Sequence, residues 1–359
     1  MIPSAALTRA WLWIAVRNMR KWLRMSWCVP LFGFLASATA AVLTAGAPAS
    51  GYAMYPDVQT FIAELVATEG FDAAALRRLF AQVRSQPKVI AAMSRPLQAP
   101  PKWYEYSPQF LSPARVDGGV AFSRENEVAL ARAQAEFGVP AEVIVAIIGV
   151  ETFYGRNTGS YRVIDALSTL AFDYPRRAEY FRGELKQFLL LTREQGISPL
   201  EPKGSFAGAA GLPQFMPGSI RAYAVDYDGD GRIDLAGDVV DAIGSVANYL
   251  ARHGWQRDQP VMQTVRLDPE TQDTILGLLD EGMTERRPIA AWVRDGVVGF
   301  LFPGNLSADP VGLLMLEEPA EASYWMVFSN WYVLTRYNRS RLYASAVWQL
   351  AQAVRAAKQ

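Results

Sequence analysis

One predicted helix limits most of what this chain can fold into. Residues 143–150 read Val-Ile-Val-Ala-Ile-Ile-Gly-Val, apolar on every face. The helix that Pro140 is placed to start therefore cannot lie on a surface with one side in water and must run through a core. Glu151 follows at once, then Thr152, Phe153, Tyr154 and Gly155, with Gly155 placed to stop the helix. A carboxyl held against apolar side chains is costly to ionise, so its pKa rises. A carboxyl still protonated near neutral pH is what a general acid requires. The bland alternative is a structural Glu that caps or salt-bridges at a helix end, and spacing alone does not exclude it.

The surrounding sequence is mostly helical in period. From Asp57 to about Gln86, Phe61, Leu65, Phe71, Leu76, Leu79 and Phe80 recur at helical spacing with charges between them. Pro96 to Pro113 reads as an ordered loop, and a helix over Glu125 to Phe137 is broken by Gly138. Further helices are expected at Arg176–Gln195, Gly218–Val225 and Val239–Arg252. After Trp255 the texture changes: Val261–Leu267, Gly312–Leu316 and Tyr324–Phe328 read as short strands of a small mixed β lobe. Tyr343, Val347, Leu350 and Val354 then share one face of a C-terminal helix that returns to the core. The fold class is mainly α (α+β). The expected organisation is an export segment at 1–52, an N-terminal helical domain at 53–128, a core at 129–255, the β lobe at 256–325 and the returning helix at 326–359.

Composition excludes several chemistries. The chain has one cysteine, Cys28, which rules out an internal disulfide or a cysteine metal cluster. It has one histidine, His253, set in Tyr249-Leu-Ala-Arg-His-Gly-Trp255, where it reads as the end of a helix stopped by Gly254 rather than as part of a nucleophile triad. Lys and Arg balance Asp and Glu at 35 each, so no net field draws the protein to nucleic acid. Near the N-terminus, Arg17, Arg20, Lys21 and Arg24 precede an apolar run from Val29 to Ala47 and small residues at Ala45, Ala47, Ala49 and Ala53. That order describes a secretory signal. A retained membrane anchor is the alternative, against which Pro30, Gly33 and the small-residue content argue.

Two further segments carry chemistry. Gly204-Ser-Phe-Ala-Gly-Ala-Ala-Gly211 is too rich in glycine for a helix and leads into Leu212-Pro-Gln-Phe-Met-Pro217. Such small residues let backbone approach backbone or a ligand, and Gln214 both donates and accepts, which suits an acetamido group; a tight structural turn explains the segment equally well. Asp226-Tyr-Asp228-Gly-Asp230-Gly231-Arg232-Ile233-Asp234 matches the start of an EF-hand loop. Carboxylates fall at positions one, three, five and nine, glycine at six, and position seven supplies the Arg232 carbonyl. Position twelve is Gly237 instead of Glu, and Asp238 or Asp241 could replace that ligand in a structural Ca2+ site; a solvated loop rich in Asx turns is the alternative.

Taken together, Gly149-Val-Glu-Thr152, Asp165-Ala-Leu-Ser-Thr-Leu170, Tyr174-Pro-Arg-Arg-Ala-Glu-Tyr-Phe181, Lys203-Gly-Ser-Phe-Ala-Gly208, Gln214-Phe-Met-Pro217, Asp241-Ala-Ile-Gly-Ser-Val-Ala-Asn-Tyr249 and Thr335-Arg-Tyr-Asn338 resemble the B-type lytic murein transglycosylases. The likeness is dense from Trp103 to Trp255, thin in the lobe, and resumes in the last thirty residues. It implies a lysozyme-like core and a periplasmic enzyme acting on peptidoglycan glycan strands as a monomer, with other cell-wall enzymes as further partners. Glu151 takes the catalytic acid/base position, with Ser205 close to it. Gln214, Met216, Tyr249, Tyr337, Asn338 and Tyr343 take positions lining the glycan cleft, and Tyr106 that of an aromatic from the N-terminal part. Arg176 and Arg177 match a pair suited to acidic peptide stems. Asp226, Asp228, Asp230, the Arg232 carbonyl and Asp241 match a calcium site, and no organic cofactor is implied.

The implied reaction cuts the β-1,4 bond between N-acetylmuramic acid and N-acetylglucosamine and leaves 1,6-anhydromuramoyl ends. A hydrolytic muramidase using the same fold and Glu would leave reducing ends instead. A calcium-dependent wall-binding scaffold without turnover would have no use for a buried acid, and a calcium sensor would change shape on chelation.

Overall fold

The computed structural model describes residues 51–95, 100–300 and 308–359. Residues 1–50 of the expected export segment lie outside the described residues, while Tyr52, at its end, is buried in the fold and donates to Asp173. The first helices are α1 (Pro56–Glu69), α2 (Ala73–Phe80) and α3 (Pro87–Met93). The periodic stretch 57–86 is thus two helices, broken where Gly70 turns left-handed and Asp72 caps α2 by accepting the Ala75 amide at 2.6 Å. The proline-rich stretch after them, expected as loop, contains α4 (Trp103–Tyr106). Glu105 reaches back to the Lys102 amide at 2.9 Å and closes this single turn.

α5 (Pro113–Glu125) and α6 (Glu127–Phe137) lead to Gly138, whose left-handed φ of 71° reverses the chain. α7 (Ala141–Thr152) follows, with Pro140 as the residue before its first turn. Every residue from Val143 to Ile148 is fully buried, and each Val or Ile side chain so buried is worth roughly 2 kcal/mol. Next come a short strand β1 (Tyr161–Arg162), α8 (Val163–Phe172), α9 (Ala178–Glu194), β2 (Lys203–Gly204), α10 (Pro217–Tyr223) and α11 (Val239–Arg252). β1 and β2 pair antiparallel, Tyr161 opposite Gly204.

The lobe is built from β3 (Met262–Leu267), α12 (Gln272–Leu276), α13 (Ile289–Arg294), β4 (Val297–Val298), β5 (Gly312–Leu316) and β6 (Ser323–Val327). Its strands form one antiparallel sheet in the order β4-β3-β6-β5, with Val327 opposite both Met262 and Gly312. Trp292, Ile275 and Phe328 fill a small core of its own. The chain closes with α14 (Ser329–Tyr337) and α15 (Arg341–Lys358).

Packing cuts across chain order. α7 is enclosed by α5 from before it and α15 from the C-terminus, in a core that also takes in Trp103, Tyr249 and Trp331. α1 to α3 share a second core with α8 and α9. A polar stripe on α8 docks them: Asp165 accepts the Arg84 amide at 3.0 Å, Thr169 the Gln86 amide at 3.0 Å, and Asp173 the Ser85 hydroxyl at 2.7 Å. The spacing of four residues puts all three on one helix face, and Tyr52 and Arg162 add donors to it. Among the described residues no single helix is long and apolar enough to cross a membrane.

Candidate active site

Glu151 occupies the last turn of α7, where the backbone is bent sharply away. The helix ends at Thr152, not at Gly155: Phe153 and Tyr154 are both left-handed at φ 52° and 59°, and Gly155 follows at 85°. Each non-glycine residue held there costs about 1–3 kcal/mol, so neighbouring contacts must impose the turn. Thr152 supplies one, its hydroxyl donating to the Leu212 carbonyl at 2.9 Å and accepting the Gly155 amide at 3.0 Å. Tyr154 supplies another, donating to the Arg115 carbonyl at 2.8 Å. Its ring fills space left by Gly118, Gly119 and Gly149; a Cβ on Gly149 would stand 2.6 Å from the Tyr154 hydroxyl. Arg115 donates to the Gly149 carbonyl and stacks its guanidinium 4.7 Å over Phe153. Neither Arg115 nor Tyr154 was singled out in the sequence, although the small residues at 118, 119 and 149 mark the room the ring needs.

The Glu151 carboxyl meets α15 directly. Tyr343, itself buried, donates its hydroxyl to Oε1 of Glu151 at 2.6 Å. Burial pushes the carboxyl up to about 7, and the Tyr343 hydroxyl pulls part of the way back. The opposite pressure acts on the phenol: burial first, then the Glu151 charge, holds Tyr343 well above the usual tyrosine range. From Tyr343 an aromatic wall extends. Tyr337 stacks against it at 6.3 Å, Tyr249 meets Tyr337 edge-on at 4.9 Å, and Phe215 touches both of these from below at 5.3 and 5.7 Å. Hydroxyls anchor the rings, Tyr337 on the Pro213 carbonyl at 2.6 Å and Tyr249 on the Arg336 carbonyl at 2.8 Å. His253 stacks on the far side of Tyr249 at 4.0 Å and closes α11 as expected.

The glycine-rich segment forms the facing turn. Ser205 accepts the Ala209 amide on its hydroxyl at 3.1 Å and donates its own amide to the Ala209 carbonyl at 2.8 Å. Gln214 is left-handed at φ 51°. Its side-chain nitrogen donates to Thr158 and Gly211 carbonyls at 3.0 and 2.9 Å. Both amide hydrogens are therefore spent on backbone, and only its oxygen is left for a ligand, where the sequence reading allowed donation as well. Met216 caps α10 and is half-buried, and Asn338 ends α14 beside Tyr337. Tyr106 is buried between Trp103 and Phe110. Arg176 and Arg177 lie on a 3-10 turn before α9, Arg176 exposed and Arg177 covering the Tyr180 ring at 4.4 Å. Glu151, Tyr343, Tyr337, Tyr249 and the 213–215 segment thus form one contact chain, with Ser205 engaged in its own turn.

The acidic loop lies between α10 and α11. Asp226, Asp228 and Asp230 bring carboxylate oxygens within 4.8 Å of one another on the exposed side. An all-oxygen set of this kind fits a hard cation such as Ca2+. Asp228 feels the Asp230 amide, which lowers it, but burial and the charges of Asp230 and Asp238 leave it raised. Asp241, expected as the last ligand, stands apart from this trio. It is 2% exposed, and its two oxygens accept the Tyr227 amide at 2.6 Å and the Asp234 amide at 2.8 Å, closing the loop from beneath. Asp238 caps α11 on the Val240 and Asp241 amides instead of reaching the trio. Arg232 donates its amide to Asp230 at 2.8 Å.

Comparison with known proteins follows the same lines. Residues 53–352 match the family described as Transglycosylase SLT domain. The chain is similar to membrane-bound lytic murein transglycosylase B of Escherichia coli K12, 41% identical over 345 residues that span 92% of this chain and 90% of that one. It is similar in structure to the soluble lytic transglycosylase SltB1 of Pseudomonas aeruginosa, with a TM-score of 0.79, 46% identity, and coverage of 84% of this chain and 99% of that one. The Escherichia coli lytic transglycosylase Slt35 in complex with calcium gives a TM-score of 0.79 at 43% identity, covering 86% and 96% of the two chains.

Proposed function

The chain belongs to the transglycosylase SLT domain family, and from that premise we propose that it is an exported lytic murein transglycosylase in which Glu151 alone carries out the acid and base steps. The observation that carries the Glu151 assignment is the carboxyl at the end of a helix buried from Val143 to Val150, raised to about 7 and held by Tyr343. The substrate is the peptidoglycan glycan strand, and the bond cut joins N-acetylmuramic acid to N-acetylglucosamine.

Glu151, protonated, gives its proton to the glycosidic oxygen. The muramoyl acetamido group stabilises the cationic C1. The carboxylate left behind takes the proton of the sugar's own C6 hydroxyl, whose oxygen bonds to C1 and closes a 1,6-anhydro ring. One proton goes out and one returns, so no water is consumed and no second carboxylate is needed, unlike the paired-carboxylate glycosidases. Attack from within the same sugar also removes the cost of bringing in a second reactant. The free oxygen of Gln214 and the half-buried ring of Tyr337, backed by the buried Tyr343 and Tyr249, suit the edges and apolar faces of the two sugars. Mass spectrometry of digested murein tests the reading: 1,6-anhydromuramoyl ends are expected, and reducing ends would make the enzyme a hydrolytic muramidase.

Tyr343→Phe removes the one donor that lowers the Glu151 carboxyl. The acid then stays protonated to higher pH, so the alkaline limb of the kcat/KM profile should move upward. An unmoved limb would mean that the group titrating in the profile is not Glu151.

For the acidic loop the proposal is a structural calcium ion, held by Asp226, Asp228, Asp230 and the Arg232 carbonyl, with Asp241 bracing the loop through its amides. An ion bound at a hundred times its dissociation constant stabilises the fold by about 2.7 kcal/mol. Chelation should lower the melting temperature by several degrees and leave the circular dichroism of the folded state unchanged. A melting temperature indifferent to chelator counts against the site. Export places the enzyme in the periplasm, where the murein lies.

A further inference from the structure

The α9 wall holds a carboxyl that the chemistry assigned to Glu151 does not use. Glu184 stands one helical turn beyond Tyr180, so the two side chains share a face. Oε2 of Glu184 accepts the Gly218 amide at 2.8 Å, and the Tyr180 hydroxyl, on a ring that is 40% exposed, helps to lower the Glu184 carboxyl. Burial raises the Glu184 carboxyl, while the Gly218 and Tyr180 donors pull it back. Its charge in turn helps burial push the Tyr180 phenol up to about 12. Gly218 is the second residue of α10, the helix that Met216 caps, and it follows the strained Gln214 by four positions. The fit is close: a Cβ on Gly218 would stand 3.2 Å from Oε2 of Glu184. At the other end, Arg177 lies over the Tyr180 ring at 4.4 Å. One carboxylate thus ties α9 to the segment 214–218.

Building on the glycan-cleft reading of Gln214 and Met216, we propose that Glu184 is a positioning residue, which fixes segment 214–218 against α9 so that those two side chains meet the sugar in a preset arrangement. Glu184 itself touches no substrate. Loosening a binding segment weakens ground state and transition state alike, so the loss appears in KM and not in kcat. A residue needed only for folding would lower the yield or melting temperature of the protein without changing KM per folded molecule.

The experiment is steady-state release of muropeptides from purified soluble glycan strands by the full chain. Glu184→Ala should raise KM about tenfold with kcat within about threefold of the parent. Glu184→Gln keeps an acceptor for the Gly218 amide, and KM should return to within about threefold of the parent. Tyr180→Phe, which leaves the Gly218 bond in place, should keep KM within about twofold of the parent. The inference is overturned if KM is unchanged in Glu184→Ala, if kcat falls at constant KM, or if Gln rescues no better than Ala. Should Glu184→Ala not fold, Glu184→Leu, which fills similar space without an acceptor for the Gly218 amide, takes its place, and an unchanged KM in that variant overturns the inference equally. A parent enzyme that releases reducing ends would sink the transglycosylase reading instead and leave the positioning role standing.

Discussion

Glu151→Gln should release anhydromuropeptides at least about a thousandfold more slowly than the parent while binding glycan strands about as well. The amide has nearly the shape of the acid and keeps an oxygen for the Tyr343 hydroxyl, but it has no proton to give and none to take back. The same variant should be more stable than the parent in mildly alkaline solution. In the folded chain the carboxyl titrates at about 7 against an ordinary 4.5. Between those values the folded state binds more protons than the unfolded one, so the parent loses stability as pH rises through that window. Below about pH 4.5 the penalty is absent, and above pH 7 it approaches about 3 kcal/mol. Glutamine does not titrate and escapes it. Melting temperatures of the two proteins should therefore converge near pH 4.5 and separate by pH 8, with the variant higher. Parallel curves across that range would mean that Glu151 ionises at no cost, and the physical basis for its acid role would be gone. Near-normal turnover by the variant would remove the role itself.

Gly159→Ala should be the most damaging single-methyl change near the site. Gly159 has φ +97°, a conformation that other residues rarely adopt. Its missing Cβ would overlap the Gly204 carbonyl group and stand 2.5 Å from the Ser205 nitrogen. These are main-chain atoms of β2 and the turn after it, so no side chain can swing aside. Next to Gly159, Thr158 receives the Gln214 side chain, and Tyr161 pairs with Gly204. A methyl group there pushes apart the β1–β2 pair that aligns Ser205 and Gln214. Overlap and backbone strain together should cost about 3–5 kcal/mol, read as a large fall in melting temperature or in soluble yield, with turnover lost in parallel. A variant that melts like the parent would show that the two strands separate without consequence.

The helix that ends in Glu151 was legible because an all-round apolar run has one use in a folded chain. The left-handed turn after it was not. Gly155 looked like the stop, but Tyr154 and Thr152 make their hydrogen bonds only if the chain reverses two residues earlier, at Phe153. α8 escaped for a related reason. Asp165, Thr169 and Asp173 break its apolar pattern, and nothing local shows that a loop eighty residues upstream supplies their donors. The acidic loop was legible at its start, where carboxylates alternate along the chain and gather at 226, 228 and 230. Its closing residue was not, because Asp241 turns inward to the Tyr227 and Asp234 amides. For the turn after Glu151 and for α8, the deciding partners come from residues 115, 212 and 84–86, far off in the chain, while Asp241 is decided by neighbours within its own loop.

Glu151 lies in the first half of the chain, yet the ring that holds it comes from residue 343, on the final helix, which packs along α7. Synthesis runs in the other direction from this dependence. A nascent chain emerging from the ribosome already carries the acid, but has neither the tyrosine that steadies it nor the apolar cover that keeps it neutral. A chain broken off before that last helix stays in the same state. On the proposal that Glu151 is the acid, the opening of murein therefore waits until α15 has docked along α7.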